Sequence, residues 1–243
     1  ATTKVSADGT QTRSYPQGRM FAHAVGYAVN GKAGLENQEN FSLLRSHEFF
    51  LKRIADDISD KKAQGDTVVT TLDAQIQQVA YKSLGNYQGA VIVMEPDTGK
   101  IIAMVSKPDY DPNTVKKDWS SLTAEGSTVL YNRATQGKYA PGSTLKPLTA
   151  IAALESGATT VREKIYDSGK WTYPGYSASY TYCWKRSGHG SLNVRGAIMN
   201  SCNYFFAEMG YRMGMETLRK YYADFGLGSP TGIEIGDAAG LLP

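Results

Sequence analysis

Two apolar segments joined by a tight turn set the strongest limit on how this 243-residue chain can fold. Residues 90–95 and 100–105 are nearly continuous apolar runs, and the sequence between them, Pro-Asp-Thr-Gly, is typical of a turn. Strands of this composition are expected where both faces of a sheet are covered. A two-stranded ribbon alone is only marginally stable in water. The hairpin therefore predicts a mixed α/β (α+β) chain that needs more sheet than these two strands.

Periodicity predicts the remaining elements. A strand is expected at 67–71 and an amphipathic helix at 73–84, and a long polar loop is expected at 106–130. Ser191 is predicted to cap the start of a helix that runs to about Met199. The helices predicted after the loop lie near 143–155, 192–199, 203–213 and 216–224.

A serine and a lysine three residues apart suggest nucleophilic chemistry. Ser143 and Lys146 follow a Pro-Gly break, and Pro147 is tolerated only near the first turn of a helix, so a helix should begin close to Ser143. Positions i and i+3 share a helix face, and the dipole at a helix N-terminus favours negative charge. The alternative is an ordinary surface lysine, because the same spacing recurs in the polar run that contains Ser59 and Lys62.

A second polar pair lies between two apolar helical stretches. Ser201 and Asn203 could project a hydroxyl and a carboxamide into a cleft, although a simple helix-linking cap would give the same pattern. The other Ser-x-Asn sequence, Ser191 to Asn193, is interpreted as the start of a helix. Cys202 is expected to point away from the cleft that its neighbours face.

Composition excludes several classes of function. A net charge of +3 with no basic run argues against nucleic-acid binding, and no apolar stretch approaches the length of a membrane span. The histidines lack metal-ligand spacing and the cysteines form no Cys-x-x-Cys pair, so no metal or cofactor is predicted. A disulfide between the two cysteines remains open. The residues considered are His23, His47, His189, Cys183 and Cys202.

These features together resemble the class B penicillin-binding proteins, which are peptidoglycan transpeptidases. Ser143 to Lys146 resembles their first motif, and Ser201 to Asn203 resembles their second. The similarity covers most of the chain. Further matching segments lie at 65–75, 89–106, 109–113 and 132–134 in the transpeptidase region, and at 13–16 and 23–27 in a membrane-proximal pedestal.

One expected motif is missing. The family carries Lys-Thr-Gly or Lys-Ser-Gly after the second motif, and this sequence has neither. Residues 186–188 are Arg-Ser-Gly, but they precede Ser201 and are therefore rejected as a substitute for this motif. The resemblance thus implies a pedestal segment at 1–65 and a transpeptidase domain at 66–243. It also implies that this domain has the penicillin-binding fold, in which helices surround an antiparallel sheet, and that the C-terminal strands of the sheet are missing from this chain. We expect a fragment, without the family's N-terminal membrane anchor, that does not react detectably with penicillin alone.

The resemblance also implies a reaction. Ser143 would be the nucleophile on D-Ala-D-Ala, Lys146 its base, Ser201 a proton relay and Asn203 a substrate-binding residue. The implied partners are peptidoglycan stem peptides, β-lactams as covalent inhibitors and a cell-wall glycosyltransferase, at the outer face of the bacterial plasma membrane.

Two other functions stay open, a β-lactamase or β-lactam sensor and a non-catalytic cell-wall scaffold. The pedestal-like residues 13–27 argue against the first, and the intact serines, lysine and asparagine argue against the second. An aromatic tract from Trp171 to Trp184 is interpreted as a packed loop over the cleft rim, or as a platform for glycan or peptide.

Overall fold

The computed structural model describes residues 1–6, 8, 10–44 and 65–242. It contains two compact units, Ala1–Gly137 with Gly232–Ala238 and Lys138–Thr231 with Ala239–Pro243. The second Ser-x-x-Lys copy, at 59–62, lies outside the described residues. Among the helices that are described, none is both long enough and apolar enough to cross a bilayer.

The first unit begins with a short antiparallel ribbon and several single-turn helices. Buried Glu36 holds the ribbon to the second helix through a salt bridge with Arg13, whose Nη2 lies 2.5 Å from Oε1. The elements are β1 Thr2–Val5, β2 Gln11–Ser14, a 3-10 helix Gly18–Phe21, α1 Ala22–Val25, α2 Gly34–Gln38 and α3 Asn40–Leu44.

A capped helix packed on a hairpin follows. The Asp73 carboxylate accepts the N–H groups of residues 75 and 76, which starts α4 at Ala74–Leu84. Strands β3 Gly89–Met94 and β4 Ile101–Lys107 pair antiparallel, as the sequence predicts. Gln77 is fully buried between α4 and the hairpin. Its side-chain amide donates a hydrogen bond to the backbone carbonyl of Met104 and accepts one from the backbone N–H of the same residue.

The hairpin is less covered than its apolar sequence predicts. β4 is largely buried, but Ile92 and Met94 of β3 are 48% and 54% exposed. In the described part of the chain this sheet has only these two strands. Within the described residues the hairpin therefore lacks the further sheet that its apolar sequence predicts.

Two predictions in this unit are wrong. Residues 67–71 form no strand, because no described strand lies beside them and Val69 is 89% exposed. The predicted loop at 106–130 contains α5 Val115–Leu122. Val115 is fully buried beside Tyr27 and Tyr110, and Trp119 and Leu122, at helical spacing from it, pack on the same cluster.

The second unit combines short strands with three helices. A 3-10 helix, Gly142–Leu145, leads directly into α6 Lys146–Glu155. The elements that follow are β5 Ile165–Asp167, β6 Lys170–Thr172, β7 Tyr180–Tyr182, β8 Gly190–Leu192, α7 Val194–Met199 and α8 Asn203–Asp224. β5 pairs with β8 and β6 pairs with β7, both antiparallel. The aromatic tract is thus partly a ribbon and not only the loop that was predicted.

Two helix boundaries refine the prediction. Ser191 lies in β8 and caps nothing, because Asn193 accepts the N–H of Gly196 and starts α7 two residues later. The two helices predicted at 203–213 and 216–224 are confirmed as the two halves of α8, which meet at a kink where Gly214 leaves helical geometry at φ 72° and ψ 166°.

The core of this unit lies where α6 meets α8. Its fully buried members include Ala153 of α6, Ala197 of α7, and Phe205 and Met209 of α8. Small residues on α6 and α7 allow the large side chains of α8 to approach closely. The first turns of α6 and α8, which carry the predicted site residues, are thereby fixed relative to each other.

Candidate active site

A tight turn presents Ser143. Gly142 has φ +57°, a left-handed conformation that glycine adopts at little cost, and it opens the 3-10 helix that holds Ser143. The Thr144 hydroxyl donates to the carbonyl of Pro141 at 2.5 Å and closes this turn. Pro147 lies in the first turn of α6, where a backbone N–H would have no acceptor within the helix, so proline costs no hydrogen bond there. Ser143 is exposed, so an incoming molecule can reach its hydroxyl.

A strained turn presents Ser201. Its φ of +47° is unusual for a residue with a Cβ and is seen most often where surrounding structure enforces it. Its N–H donates to Ile198, and the N–H of Cys202 donates to Ala197 at 2.9 Å. The Cys202 sulfur accepts the N–H of Phe205 and so caps α8. These contacts hold the turn on both sides.

The predicted site residues meet through hydrogen bonds. The Lys146 amine donates to the Ser201 carbonyl at 2.7 Å, to the Ser201 hydroxyl at 3.0 Å and to Asn203 Oδ1 at 2.7 Å. The Ser201 hydroxyl donates to the Ser143 hydroxyl at 3.2 Å. Asn203 Nδ2 donates to the carbonyl of Tyr182 at 3.1 Å. A continuous path therefore links Lys146, Ser201 and Ser143.

The path joins the predicted base to the predicted nucleophile. The resemblance implies Lys146 as the base of Ser143, and in the structure its amine is connected to the Ser143 hydroxyl through the hydroxyl of Ser201. An ammonium group has three donors, and all three have acceptors on Ser201 and Asn203. The three contacts therefore satisfy every donor of a protonated lysine.

Partial burial changes the electrostatics of Lys146. Loss of solvent lowers the pKa of its amine below the usual value of 10.5, and the nearby cysteines Cys202 and Cys183 oppose that shift. The amine lies 5.6 Å from the ring of Phe206, a contact that also favours the charged form. Lys146 is half-buried.

Four potential metal ligands lie directly behind the Ser201 turn. The atoms they offer are all within 4.8 Å of one another. His189 Nδ1 lies 2.7 Å from Asp167 Oδ2 and 3.4 Å from Cys183 Sγ. Cys202 Sγ lies 3.3 Å from Asp167 Oδ2 and 3.8 Å from Cys183 Sγ. Both thiols are free, and Cys202 is fully buried, so the expectation that it points away from the cleft is confirmed.

The donor set and its spacing fit zinc. Two thiols, an imidazole and a carboxylate are ligands that Zn²⁺ takes in tetrahedral sites. With zinc–sulfur bonds of about 2.3 Å at tetrahedral angles, two thiolates lie about 3.8 Å apart, and this is the observed distance between Cys183 and Cys202. The cluster can accept the ion with little movement of its sulfurs.

The protonation of the cluster agrees with this interpretation. Burial alone would raise the pKa of Asp167, but hydrogen bonds from His189, from the N–H of Gly169 and from Cys202 lower it to about 2. Burial raises the pKa of the Cys202 thiol to about 12. Without a cation the thiol therefore keeps its proton and donates it to Asp167. A zinc ion would displace this proton, since metal-bound cysteine is a thiolate.

No local sequence pattern indicates this cluster. Its members come from β5, from the segment between β7 and β8, and from the N-cap of α8, so no metal-binding spacing appears along the chain. The separation of Cys183 and His189 by six positions is the one pattern that could have suggested it. The contact of Asn203 with the Tyr182 carbonyl was likewise missed.

Family comparisons give two matches along the chain. Residues 89–241 match the penicillin binding protein transpeptidase domain. Residues 1–68 match the penicillin binding protein A dimerisation domain.

Individual relatives agree with these matches. Peptidoglycan D,D-transpeptidase MrdA of Escherichia coli is 33% identical over 98% of this chain and 43% of its own length. Stage V sporulation protein D of Bacillus subtilis is 33% identical over 95% of this chain and 38% of its own length. The imipenem acyl-enzyme of penicillin-binding protein A from M. tuberculosis has a TM-score of 0.86 and 30% identity, over 98% of this chain and 59% of that one.

The chain spans less than half the length of these two curated relatives. The family match nevertheless covers well over half of the chain, and the helices and antiparallel strands resemble those of the solved penicillin-binding protein A. The predicted fold class is thereby confirmed. The chain belongs to the penicillin-binding protein transpeptidase family, as a class B penicillin-binding protein.

Proposed function

We propose that this chain carries the nucleophile and proton path of a peptidoglycan D,D-transpeptidase. The observation that carries the proposal is the hydrogen-bonded sequence Lys146, Ser201, Ser143, which ends on an exposed hydroxyl. The name of the MrdA relative and the β-lactam acyl-enzyme of the mycobacterial relative support it.

The first step makes an acyl-enzyme. When Lys146 is neutral, the path reverses direction, so that Ser143 donates to Ser201 and Ser201 donates to the amine. Ser143 Oγ then bonds to the carbonyl carbon of the penultimate D-alanine while a proton moves along the path to Lys146. The bond to the terminal D-alanine nitrogen breaks as the proton returns through Ser201 to that leaving amine.

The second step transfers the acyl group. An amine from a neighbouring stem peptide attacks the ester carbon, and its proton moves to Lys146 by the same path. The Ser143–acyl bond breaks and Ser143 regains a proton. The backbone N–H of Ser143 serves as one donor to the developing oxyanion, and such donors are typically worth ~10²–10³ in rate each.

In this proposal Asn203 has a second role beside the substrate contact that its motif implies. Its carbonyl accepts from Lys146 and its NH₂ group donates to Tyr182, so both ends of the carboxamide are engaged. Asn203 thus holds the amine in place. Contact with a substrate amide requires exchange of the Tyr182 bond.

In this proposal the cluster behind the turn binds one zinc ion through Asp167, Cys183, His189 and Cys202. The bound ion supplies a structural crosslink and takes no part in the proton path. Because Cys202 lies between the two site residues of the second motif, fixing its sulfur fixes the positions of Ser201 and Asn203.

The biological setting belongs to the same proposal. Residues 1–65 form the pedestal segment and 66–243 the transpeptidase domain, a division that the two family matches support. Stem peptides are the substrates, β-lactams are covalent inhibitors, and a glycosyltransferase of cell-wall synthesis is a partner. The protein acts at the outer face of the plasma membrane, where its substrate lies.

The test is covalent labelling of the gene product that carries this chain. Fluorescent penicillin should form a long-lived adduct that Ser143→Ala abolishes. Ser191→Ala, an exposed serine of the other Ser-x-Asn sequence, is the matched control and should label normally. Labelling that survives Ser143→Ala would overturn the assignment. Rapid release of penicilloic acid would instead show a β-lactamase.

A further inference from the structure

One face of the β6–β7 ribbon carries cations and tyrosines side by side. Lys170 pairs with Tyr182 and Thr172 pairs with Tyr180, and directly paired residues of antiparallel strands project to the same face. All four residues are exposed. Arg186 adds a second cation, with its guanidinium 3.8 Å from the centre of the Tyr182 ring. We call these five residues the cationic tyrosine face.

The opposite face of the ribbon is already occupied by its own helix. Trp171, between the two outward-facing residues of β6, donates from its indole to Glu208 at 2.8 Å, and its ring lies 6.1 Å from that of Tyr211. Both partners are on α8. The ribbon is therefore attached to α8 through the face that carries Trp171, and the cationic tyrosine face lies on the side away from α8.

The cations on this face are positioned but not neutralised. Lys170 lies 4.1 Å from the centre of the Tyr180 ring, a contact that restrains the ammonium without cancelling its charge. Among the described residues, no carboxylate forms a salt bridge with Lys170 or Arg186. On α8 the pattern differs, since Arg212 bonds Glu163 and Glu208. A pair of oriented, unneutralised cations is suited to an anionic ligand.

The face is continuous with the active site. Tyr182 ends β7, and its carbonyl accepts from the Asn203 side chain. Just beyond it, Trp184 is 65% exposed and anchors its indole N–H to the carbonyl of Asn200, one residue before Ser201. A ligand that extends from Ser143 along this side therefore meets Tyr182 first, and then the two cations.

We propose that the cationic tyrosine face binds the carboxylates of a peptidoglycan stem peptide, outside the bond that reacts. The inference rests on the proposed function for the identity of the substrate. Charge complementarity selects the peptide over the sugars, because free carboxylates pair with lysine and with the planar arginine fork. Tyrosine edges and hydroxyls then contact the peptide backbone between its carboxylates.

The experiment measures binding rather than turnover. Insoluble peptidoglycan is incubated with the gene product that carries this chain, and the bound fraction is measured at low and at high salt. Lys170→Gln with Arg186→Gln should weaken binding about tenfold at low salt, because two exposed charge pairs with the ligand are lost. The charge-conserving pair, Lys170→Arg with Arg186→Lys, should retain most of the binding.

A matched control distinguishes binding by the cationic tyrosine face from nonspecific electrostatic attraction between a positively charged surface and peptidoglycan. Lys164→Gln with Arg219→Gln removes the same charge from two other exposed positions of the same unit and should leave binding unchanged. An equal loss in both double variants, or no loss in either, would overturn the proposal. Binding that persists on glycan strands stripped of peptide by an amidase would show that sugars are the ligand. Loss of binding to phosphatidylglycerol vesicles but not to peptidoglycan would show that a lipid surface is the ligand.

Penicillin labelling of the unaltered protein keeps the two proposals apart. If Ser143 labels but the glutamine pair binds peptidoglycan normally, the proposed function stands and this inference fails. If Ser143 does not label, the proposed function fails independently of the peptidoglycan result.

Discussion

Removing the Ser201 hydroxyl should break the proton path while leaving the lysine in place. In Ser201→Ala the amine of Lys146 keeps the backbone carbonyl of residue 201 and Asn203 Oδ1, each at 2.7 Å. It loses the hydroxyl at 3.0 Å, and Ser143 loses its partner at 3.2 Å. The nucleophile then has no described route to a base.

The size of the effect follows from what the path supplies. Positioned acid–base catalysis typically contributes ~10²–10⁴ in rate. The acylation rate constant of Ser201→Ala should fall by this factor, which corresponds to about 3–5 kcal/mol of transition-state free energy. The assay is stopped-flow acylation of the gene product that carries this chain, with fluorescent penicillin in excess.

A second variant separates catalysis from strain. Ser201 has φ +47°, and a residue with a Cβ loses roughly 1–2 kcal/mol there relative to glycine. Ser201→Gly should therefore be more stable to urea than Ser201→Ala by ~1 kcal/mol, yet equally slow. Acylation of Ser201→Ala at the wild-type rate would refute the path through Ser201. Recovery of the rate in Ser201→Gly would show that the defect is conformational.

Three further outcomes are expected. Titration calorimetry should show about one zinc ion bound per chain with a raised Tm, and Cys202→Ser should lose the ion. Gln77→Ala leaves the buried backbone groups of Met104 without partners, so urea unfolding should show a loss of ~2–4 kcal/mol. Burial lowers the pKa of His23, so the unfolded chain binds its proton more readily and stability should fall as pH drops below about 6.5; His23→Gln should flatten that slope. Zinc retained by Cys202→Ser, unchanged stability of Gln77→Ala, or the same pH dependence of stability in His23→Gln as in the wild type would contradict the respective argument.

Local patterns were sufficient where local chemistry determines structure. The Asp73 cap and the apolar rows of α4 and the hairpin are set by neighbours in sequence, and they appear where predicted. The same holds for the turn that presents Ser143, because Gly142 and Pro147 restrict the backbone on either side.

Features fixed by distant contacts were missed. The apolar residues of α5, Val115, Trp119 and Leu122, recur at helical spacing, but the polar residues between them obscured this pattern. Their burial depends on Tyr27, which lies far earlier in the sequence. The cysteine–histidine–aspartate cluster assembles from three separate segments. The sequence also predicted side chains that do lie together, but not the order of their hydrogen bonds, in which Ser201 lies between Lys146 and Ser143.

The pH dependence of Ser143 acylation tests the central claim most directly, because it reports the group that accepts the proton. The Lys146 pKa is lowered from 10.5 by burial, so the neutral amine becomes available below that pH. Between about pH 6 and pH 10 the acylation rate should rise and then level off at a pKa below 10.5. Lys146→Met, which removes the amine and keeps the apolar stem, should lose both the rate and its rise with pH. A wild-type rate that is independent of pH over this range, or a Lys146→Met variant with the same rising profile, would contradict the account.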